Sequence, residues 1–182
     1  MYKKELNQMK ILVSFSGGKD SQACLIQAAN RYGADKIEAV FCDTGWEHPD
    51  TYKHIHDVCT LLDVKLTIIR NEKVGSFQNL CKQMKCFPVA TRRSCTSSLK
   101  IRPMIDWILS HDDSFVIIQG IRGAESASRS EMEPECSYFK EYFSMDKGIR
   151  LYRKRDVLAW CKTHDASVFR PIFDWTAQQV ID

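Results

Sequence analysis

The chain lacks long apolar runs and a strong excess of either charge. No apolar segment approaches the roughly 18 consecutive residues of a membrane-spanning helix, and the opening MYKKELNQMK has no apolar core of the kind found in secretion signals. The 26 basic and 23 acidic residues leave a net charge of +3, too small to indicate nucleic-acid binding from bulk electrostatics. We therefore expect a cytoplasmic protein without a membrane partner, folded as a single domain over 1–182.

Paired cysteine motifs are also missing. The chain has eight cysteines but no Cys-x-x-Cys, and the early ones lie in apolar or helical settings, where a free cysteine behaves as a small hydrophobic residue. Four later cysteines have a spacing that matches no established ligand pattern, so we expect neither zinc nor an iron–sulfur cluster. These four are Cys81, Cys86, Cys95 and Cys136.

The segment SFSGGKDS (14–21) lacks one glycine of a familiar motif. The phosphate loop of P-loop NTPases needs a glycine five residues before its Gly-Lys pair, and Val13 occupies that position. The segment still joins a predicted strand to a predicted helix, and such a turn aims N–H groups and hydroxyls at one point, which suits a phosphate or sulfate. Asp20 is unexpected beside an anion unless it binds a cation or orients the loop. The predicted anion ligands are Ser14, Ser16, Gly17, Gly18, Lys19 and Ser21.

Strands and helices alternate along the chain. Apolar runs predict strands at 10–15, 37–42, 64–70, 114–120 and 167–172. Helical spacing predicts helices at 20–32, 48–62, 77–86, 103–110 and 154–164. This alternation predicts an α/β fold, a mostly parallel five-stranded sheet with helices on both faces, which binds its ligand beyond the carboxyl ends of the strands.

A Thr-x-x-Gln capping pattern at Thr176 and Gln179 predicts a short final helix. Isolated helices of this length are marginal in water. We therefore expect either that the domain continues past Asp182 or that the helix docks on the core.

Five sequence blocks follow one another in a recognisable order. SGGKDS matches the pattern S-x-G-x-D-S, and CDTGWEHPDTYKHI (42–55) joins Asp-Thr-Gly to a Pro-Asp-Thr-Tyr helix start. The remaining blocks are RRSCTSSLKIRPM (92–104), GIRGAESASR (120–129) and RPIFDWTAQQVI (170–181). Together they resemble the phosphoadenosine phosphosulfate (PAPS) reductase family of the PP-loop ATP pyrophosphatase superfamily. The resemblance implies a PP-loop (adenine nucleotide alpha hydrolase-like) fold and an enzyme that binds ATP, adenylyl sulfate (APS) or PAPS.

The triplet Asp43, Thr44 and Gly45 follows the second predicted strand, where the ribose or base of a nucleotide would lie. An Asp-Thr-Gly triplet also occurs in aspartic proteases, but that chemistry needs a second carboxylate in a mostly β setting, and this chain has no other such triplet. Trp46 either covers a bound base or caps the core.

Several cations follow the predicted strand ends, where guanidinium forks suit bidentate contact with phosphate or sulfate. They are Arg93, Lys100, Arg122 and Arg129, and Gly120 and Glu125 join them in the predicted nucleotide site. Glu125 lies among these arginines, so we expect it to orient them, because a carboxylate paired in this way is too acidic for a general acid. The candidate catalytic residues are Lys19, Asp20, Arg93 and Arg122. Cys95 is the best candidate for a functional thiol, because neighbouring arginines favour the thiolate.

Reductases of this family carry a nucleophilic cysteine near the C-terminus in a Glu-Cys-Gly-Leu-His motif, which this sequence lacks. Either that tail follows Asp182 or the protein does not reduce PAPS. In one reaction open to the scaffold, the loop holds the β and γ phosphates of ATP with Mg²⁺, and a nucleophile attacks the α-phosphorus and releases pyrophosphate. In the other, the loop holds the sulfate of APS or PAPS and a thiol attacks its sulfur.

A non-catalytic nucleotide-binding subunit is the third alternative. We prefer the first reaction, adenylation of an acceptor in sulfur-related chemistry. The acceptor, and whether the protein forms a homo-oligomer or pairs with a partner subunit, stay open at this stage.

Overall fold

The computed structural model describes residues 9–87, 89, 94–140 and 152–182. Its strands are β1 Lys10–Ser14, β2 Ile37–Asp43, β3 Lys65–Arg70, β4 Phe115–Gln119, β5 Glu135–Ser137 and β6 Ala166–Phe169. Its helices are α1 Lys19–Tyr32, α2 Pro49–Leu61, α3 Phe77–Met84, α4 Ser94–Thr96, α5 Arg102–Leu109, α6 Ala127–Ser130, α7 Lys154–Trp160 and α8 Ala177–Ile181. A π-helical segment, Ser97–Ile101, joins α4 to α5.

The strands form one sheet in the order β3-β2-β1-β4-β6-β5. All neighbours pair in parallel except β5, which runs antiparallel to β6. The predicted strands and the parallel sheet are confirmed, but the sheet described has six strands rather than five. The additional strand, β5, has the polar sequence ECS and no apolar alternation by which the sequence could reveal it.

Helices cover both faces of the sheet, as the alternating pattern predicts. Along β1, Ile11 and Val13 face a core shared with α1 and α2, whereas Leu12 faces a second core shared with α5 and α7. Side chains alternate across a strand, so one strand supplies both cores. Within the described ranges, no helix is both long and apolar enough to cross a bilayer.

The order of the strands reverses at β1, which lies between β2 and β4. In sheets of this kind a crevice opens at the carboxyl ends of the strands on either side of the reversal. Ser14 and Gln119 are paired there at the ends of β1 and β4. The sequence block SFSGGKDS therefore begins at the edge of that crevice.

The segment before α5 is more helical than its sequence predicts. The sequence predicts a helix that begins at Pro103, but helical structure begins at Ser94. Burial of Leu99 and a 2.6 Å hydrogen bond from the Asn71 side chain to the carbonyl of Ser98 hold the segment against the sheet. These tertiary contacts outweigh the low helix propensity of its serines.

The predicted capping pattern at the final helix is present. Thr176 Oγ1 accepts a hydrogen bond from the N–H of Gln179 (3.2 Å), and the Gln179 side chain accepts one from the N–H of Thr176 (2.8 Å). Val180 packs against the same core as α1. The final helix therefore docks on the core, which is one of the two outcomes expected from the sequence.

Candidate active site

The predicted anion-binding loop, residues 16–21, closes through its serine side chains. The N–H of Ser16 donates to Oγ of Ser21 (3.2 Å), and that hydroxyl donates to the carbonyl of Gly18 (2.8 Å). Gly18 is the N-cap of α1, and among the described residues no side-chain cap hydrogen bond is made there. The N–H groups of the first turn are therefore open to an external acceptor at the positive end of the helix dipole. This arrangement can hold a phosphate or sulfate.

The backbone geometry favours glycine at two positions of this site. Gly17 has φ +78°, a backbone conformation that favours glycine, and packs against Thr51 and Ile55 of α2. Gly120 directly follows β4 and lies against the first turn of α1. A β-carbon at this position would lie 2.6 Å from the carbonyl carbon of Asp20 and 2.6 Å from the N of Ser21. The end of β4 and the first turn of α1 therefore meet through their backbones. In this structure the predicted nucleotide residue Gly120 makes a close packing contact.

Asp20 joins the loop to the arginine segment through a chain of ion pairs. Its Oδ1 lies 3.0 Å from Nε of Arg122 and 3.6 Å from Nζ of Lys19. The Arg122 guanidinium lies 3.8 Å from Glu125, which also contacts Arg129. Asp20 and Arg122 are nearly buried, with side chains 14% and 9% exposed, while Lys19 is half exposed. Through Oδ1, Asp20 orients Arg122 against the N-terminus of α1, and these contacts leave the interpretation of Asp20 as a cation ligand open.

Asp43 ends β2 and holds the turn that follows it. Oδ1 accepts hydrogen bonds from the N–H of Gly45 (2.7 Å) and the hydroxyl of Tyr52 (2.8 Å), and Oδ2 contacts Arg70. Burial by itself raises the pKa of Asp43, but the hydrogen bonds from Arg70, Gly45 and Tyr52 and the charge of Arg70 outweigh it, so the pKa lies below its ordinary value. The ionised carboxylate therefore faces the protein and positions the turn that follows β2.

The rest of that turn docks on the start of α3. Thr44 is buried, donates to the Glu47 side chain (2.9 Å) and accepts from the N–H of Phe77 (2.8 Å). Trp46 is 56% exposed, and its ring centroid lies 6.0 Å from that of Phe77. The alternative that Trp46 caps the core is therefore wrong.

Lys100 lies beside the carboxyl end of β2. Its carbonyl accepts from the thiol of Cys42 at 3.7 Å, and its side chain is exposed. Burial raises the pKa of the Cys42 thiol to about 11, although the charge of Lys100 acts in the opposite direction. Behind the loop, burial and then the charge of Asp20 raise the pKa of Cys24 to about 12. Both thiols are protonated near neutral pH.

The predicted site residues converge on one edge of the sheet. The ends of β1, β2 and β4 bring together the loop, the Asp43 turn and the Arg122 segment. Arg93, a predicted catalytic residue, lies outside the described residues. Within the described ranges, no group of three or more His, Cys, Asp or Glu side chains could hold a metal ion.

Sequence reasoning missed Tyr52 and Arg70, the two side chains that fix Asp43. Arg70 is the last residue of β3 and is paired in register with Asp43 at the end of β2. Its position at a strand end, like that of the predicted arginines, is the signal that could have revealed it. A concavity of about 710 Å³ lies at the opposite edge, where β1, β2 and β3 begin.

Comparison with known proteins completes the assignment of the fold. The family model of the phosphoadenosine phosphosulfate reductase domain matches residues 10–182. The chain belongs to this family.

This PAPS reductase domain has relatives longer than itself. It is 33% identical over 123 residues to an uncharacterized protein of Methanocaldococcus jannaschii, covering 66% of this chain and 24% of that protein. It is 29% identical over 178 residues to an uncharacterized nin region protein of Escherichia phage lambda, covering 83% of this chain and 58% of that protein. The chain thus spans less than two thirds of the length of either curated relative.

Solved structures with the same fold include three at 13% identity. PAPS reductase from Candida auris, in a phosphate complex, has a TM-score of 0.60 and covers 94% of this chain and 70% of its own. The U34-tRNA thiolase of Methanococcus maripaludis, with its [4Fe-4S] cluster, has a TM-score of 0.56, and the match covers 96% of this chain and 55% of the thiolase chain. FMN adenylyltransferase from Candida glabrata, with FAD and inorganic pyrophosphate, has a TM-score of 0.52, and the match covers 99% of this chain and 51% of the adenylyltransferase chain.

At this identity the three structures show the fold alone, and they confirm the predicted PP-loop architecture of the PAPS reductase domain. The thiolase carries a cluster. The absence of a cluster from this chain therefore stays a prediction.

Proposed function

We propose that the domain cleaves ATP between the α and β phosphates, transferring the adenylyl group to an acceptor in sulfur-related chemistry and releasing pyrophosphate. The observation that carries this proposal is the uncapped N-terminus of α1 with Arg122 fixed beside it by Asp20. Open N–H groups and an oriented guanidinium favour a multiply charged anion. The terminal phosphates of ATP are such an anion.

In the proposed reaction an acceptor nucleophile attacks the α-phosphorus, and the bond from that phosphorus to the α–β bridging oxygen breaks. Negative charge then builds on the departing pyrophosphate. Lys19, Arg122 and the first-turn N–H groups of α1 stabilise that charge, and Asp20 keeps Arg122 in place. We propose that Arg93, Lys100 and Arg129 add positive charge around the nucleotide.

The donor set suits a Mg²⁺ ion that arrives with ATP. Both cations that contact Asp20 approach Oδ1, so that within the described part of the chain Oδ2 stays available as a ligand. Mg²⁺ is commonly bound by one or two carboxylates together with substrate phosphates and water. Bound in this way, the ion would neutralise phosphate charge.

Sulfonucleotide reduction is the second candidate, because the family takes its name from that reaction. The reaction requires a thiolate to attack sulfur. Cys42, at the end of β2, and Cys24, behind the loop, have pKa values raised to about 11 and about 12, so neither supplies a thiolate near neutral pH. ATP cleavage needs no protein thiolate, which is why we favour it, while Cys95, the candidate thiol of the sequence, is a free cysteine on which the reductase alternative would depend.

The test follows α-labelled and γ-labelled ATP with Mg²⁺, first with water as the acceptor and then with bulk RNA or single-stranded DNA. We expect AMP or an adenylated product together with pyrophosphate. Lys19→Ala and Asp20→Ala should abolish this release, and Lys36→Ala, at the opposite edge of the sheet, should not. ADP with orthophosphate, or wild-type rates in both loop variants, would refute the proposal.

A parallel assay supplies PAPS with a thiol donor, and sulfite release there would establish the reductase alternative. A third result would identify a binding subunit. In that case ATP raises the melting temperature but neither nucleotide is turned over.

A further inference from the structure

An aromatic groove of about 530 Å³ lies between the Asp43 turn and α3. Trp46, Phe77 and Phe87 form its apolar surface, with ring centroids 6.0 Å apart for the first pair and 6.5 Å apart for the second. Trp46 is 56% exposed and Phe87 is 74% exposed. Two large rings thus present flat surfaces to solvent, an arrangement that marks interaction sites on soluble proteins.

The aromatic groove lies at the same edge of the sheet as the proposed phosphate site, because Trp46 follows the carboxyl end of β2. Trp46 directly follows Gly45, whose N–H is held by Asp43 at the end of β2. Three residues later α2 begins, and its Thr51 and Ile55 pack against Gly17 of the phosphate loop. The groove and the loop are therefore connected through one turn and the start of one helix, which places the groove where an acceptor could approach bound ATP.

The groove is also locally basic. Its eight lining residues include Lys82 and Lys85 but no acidic residue, although the whole chain has 26 basic and 23 acidic residues. Both lysines are exposed. An apolar peptide would use the rings and leave the cations without partners. Single-stranded nucleic acid presents flat bases and regularly spaced phosphates together, and proteins bind it with aromatic platforms in basic grooves.

We propose that the aromatic groove binds single-stranded nucleic acid as the acceptor strand, with bases stacked on Trp46 and Phe87 and phosphates near Lys82 and Lys85. The inference rests on the proposed adenylation, because it names the class of the acceptor. The binding itself can be measured without turnover, so that a failure of one proposal is distinguishable from a failure of the other.

The experiment measures fluorescence anisotropy of labelled 12-nucleotide single-stranded DNA and RNA with the full chain at low salt. We expect binding of at least one oligonucleotide, weakened about ten-fold by Trp46→Leu, which keeps apolar volume but removes the aromatic face, and restored by Trp46→Phe. Lys82→Gln with Lys85→Gln should reduce the salt slope by about 0.7 for each lost phosphate contact. Lys162→Gln, an exposed lysine beyond α7, serves as the charge control.

Four results of the binding and stability measurements would overturn the inference, and a fifth concerns the response to ATP. The first is that no oligonucleotide binds, and the second is that Trp46→Leu binds as tightly as the wild type. The third is that a mononucleotide binds at the groove equally tightly. The fourth is a marked fall in the melting temperature of Trp46→Leu, which would show that the rings cover part of the chain itself. The ATP-induced rise in melting temperature should persist in Trp46→Leu, and its loss would make the groove part of the ATP site and also overturn the inference. If oligonucleotides bind as expected but wild-type protein shows no ATP response, the proposed adenylation fails while the nucleic-acid groove stands.

Discussion

Replacing Gly120 with alanine should separate the two elements that form the proposed phosphate site. The new β-carbon would lie 2.6 Å from backbone atoms of Asp20 and Ser21, where ordinary contact begins at about 3.4 Å. The loop after β4 and the first turn of α1 must therefore move apart by roughly 0.8 Å. Neither side can yield by rotating a side chain, because the opposing atoms belong to the backbone.

The cost follows from this geometry. Overpacking of well-packed sites costs about 1–3 kcal/mol, and the backbone contact places Gly120→Ala near 3 kcal/mol. For a domain of this size that corresponds to a fall of about 6–12 °C in melting temperature. The same displacement shifts Arg122 relative to the loop, and misplacements of about 1 Å can lower activity about 100-fold.

Urea denaturation and the ATP-induced shift in melting temperature measure the two effects. Gly18→Ala is the matched control, since its β-carbon would meet nothing closer than Ser16 Oγ at 3.7 Å. We expect that control to cost less than about 1 kcal/mol, through the weaker N-cap preference of alanine. A Gly120→Ala protein as stable as Gly18→Ala, with an unchanged response to ATP, would refute the reasoning.

Three further predictions concern charge and thiol chemistry. Arg122→Ala removes the 3.0 Å partner of the mostly buried Asp20 carboxylate and leaves it the more distant Lys19 at 3.6 Å. We expect the free energy of unfolding in urea to fall by about 2 kcal/mol, less than for a buried charge left with no partner, and the ATP response to be lost. An unchanged denaturation midpoint would contradict the ion pair. The pKa of Asp43 is lowered from 3.8, so the ionised carboxylate stabilises the folded state fully above pH 3.8. This stabilisation is lost as the pH falls through the folded-state pKa of Asp43. Arg70→Ala should therefore flatten the acid side of the stability profile, and identical acid curves would count against this. Iodoacetamide near neutral pH should label the exposed Cys86 at least ten-fold faster than Cys42, whose pKa burial raises to about 11, and equal rates measured by peptide mass spectrometry would contradict that burial.

Features encoded within a few neighbouring residues could be predicted from the sequence. The apolar runs of β1 to β4 and β6, the strand-to-helix loop at 16–21 and the Thr176 capping box all depend on local pattern, and the structure contains each of them. Strand β5 could not be predicted, because its three polar residues become a strand only by pairing with β6. The helical segment from Ser94 could not be predicted for the same reason, because long-range contacts with the end of β2 and with Asn71 stabilise it.

The contacts that organise the candidate site are long-range, and no spacing rule reveals them. Asp20 and Arg122 are 102 residues apart in sequence, and Asp43 and Arg70 are 27 apart. The strand order brings each pair to the same edge of the sheet. From sequence alone, Asp20 could be assigned either to a cation or to loop orientation, and its contact with Arg122 supports the second while leaving the first open.

A structure of the domain with Mg²⁺ and the α,β-methylene analogue of ATP, which cannot be cleaved at that position, tests the central claim most directly. The account predicts that the β and γ phosphates contact the N–H groups of residues 16–21, with Arg122 beside them. Phosphates bound elsewhere, such as in the concavity at the opposite edge of the sheet, would contradict it.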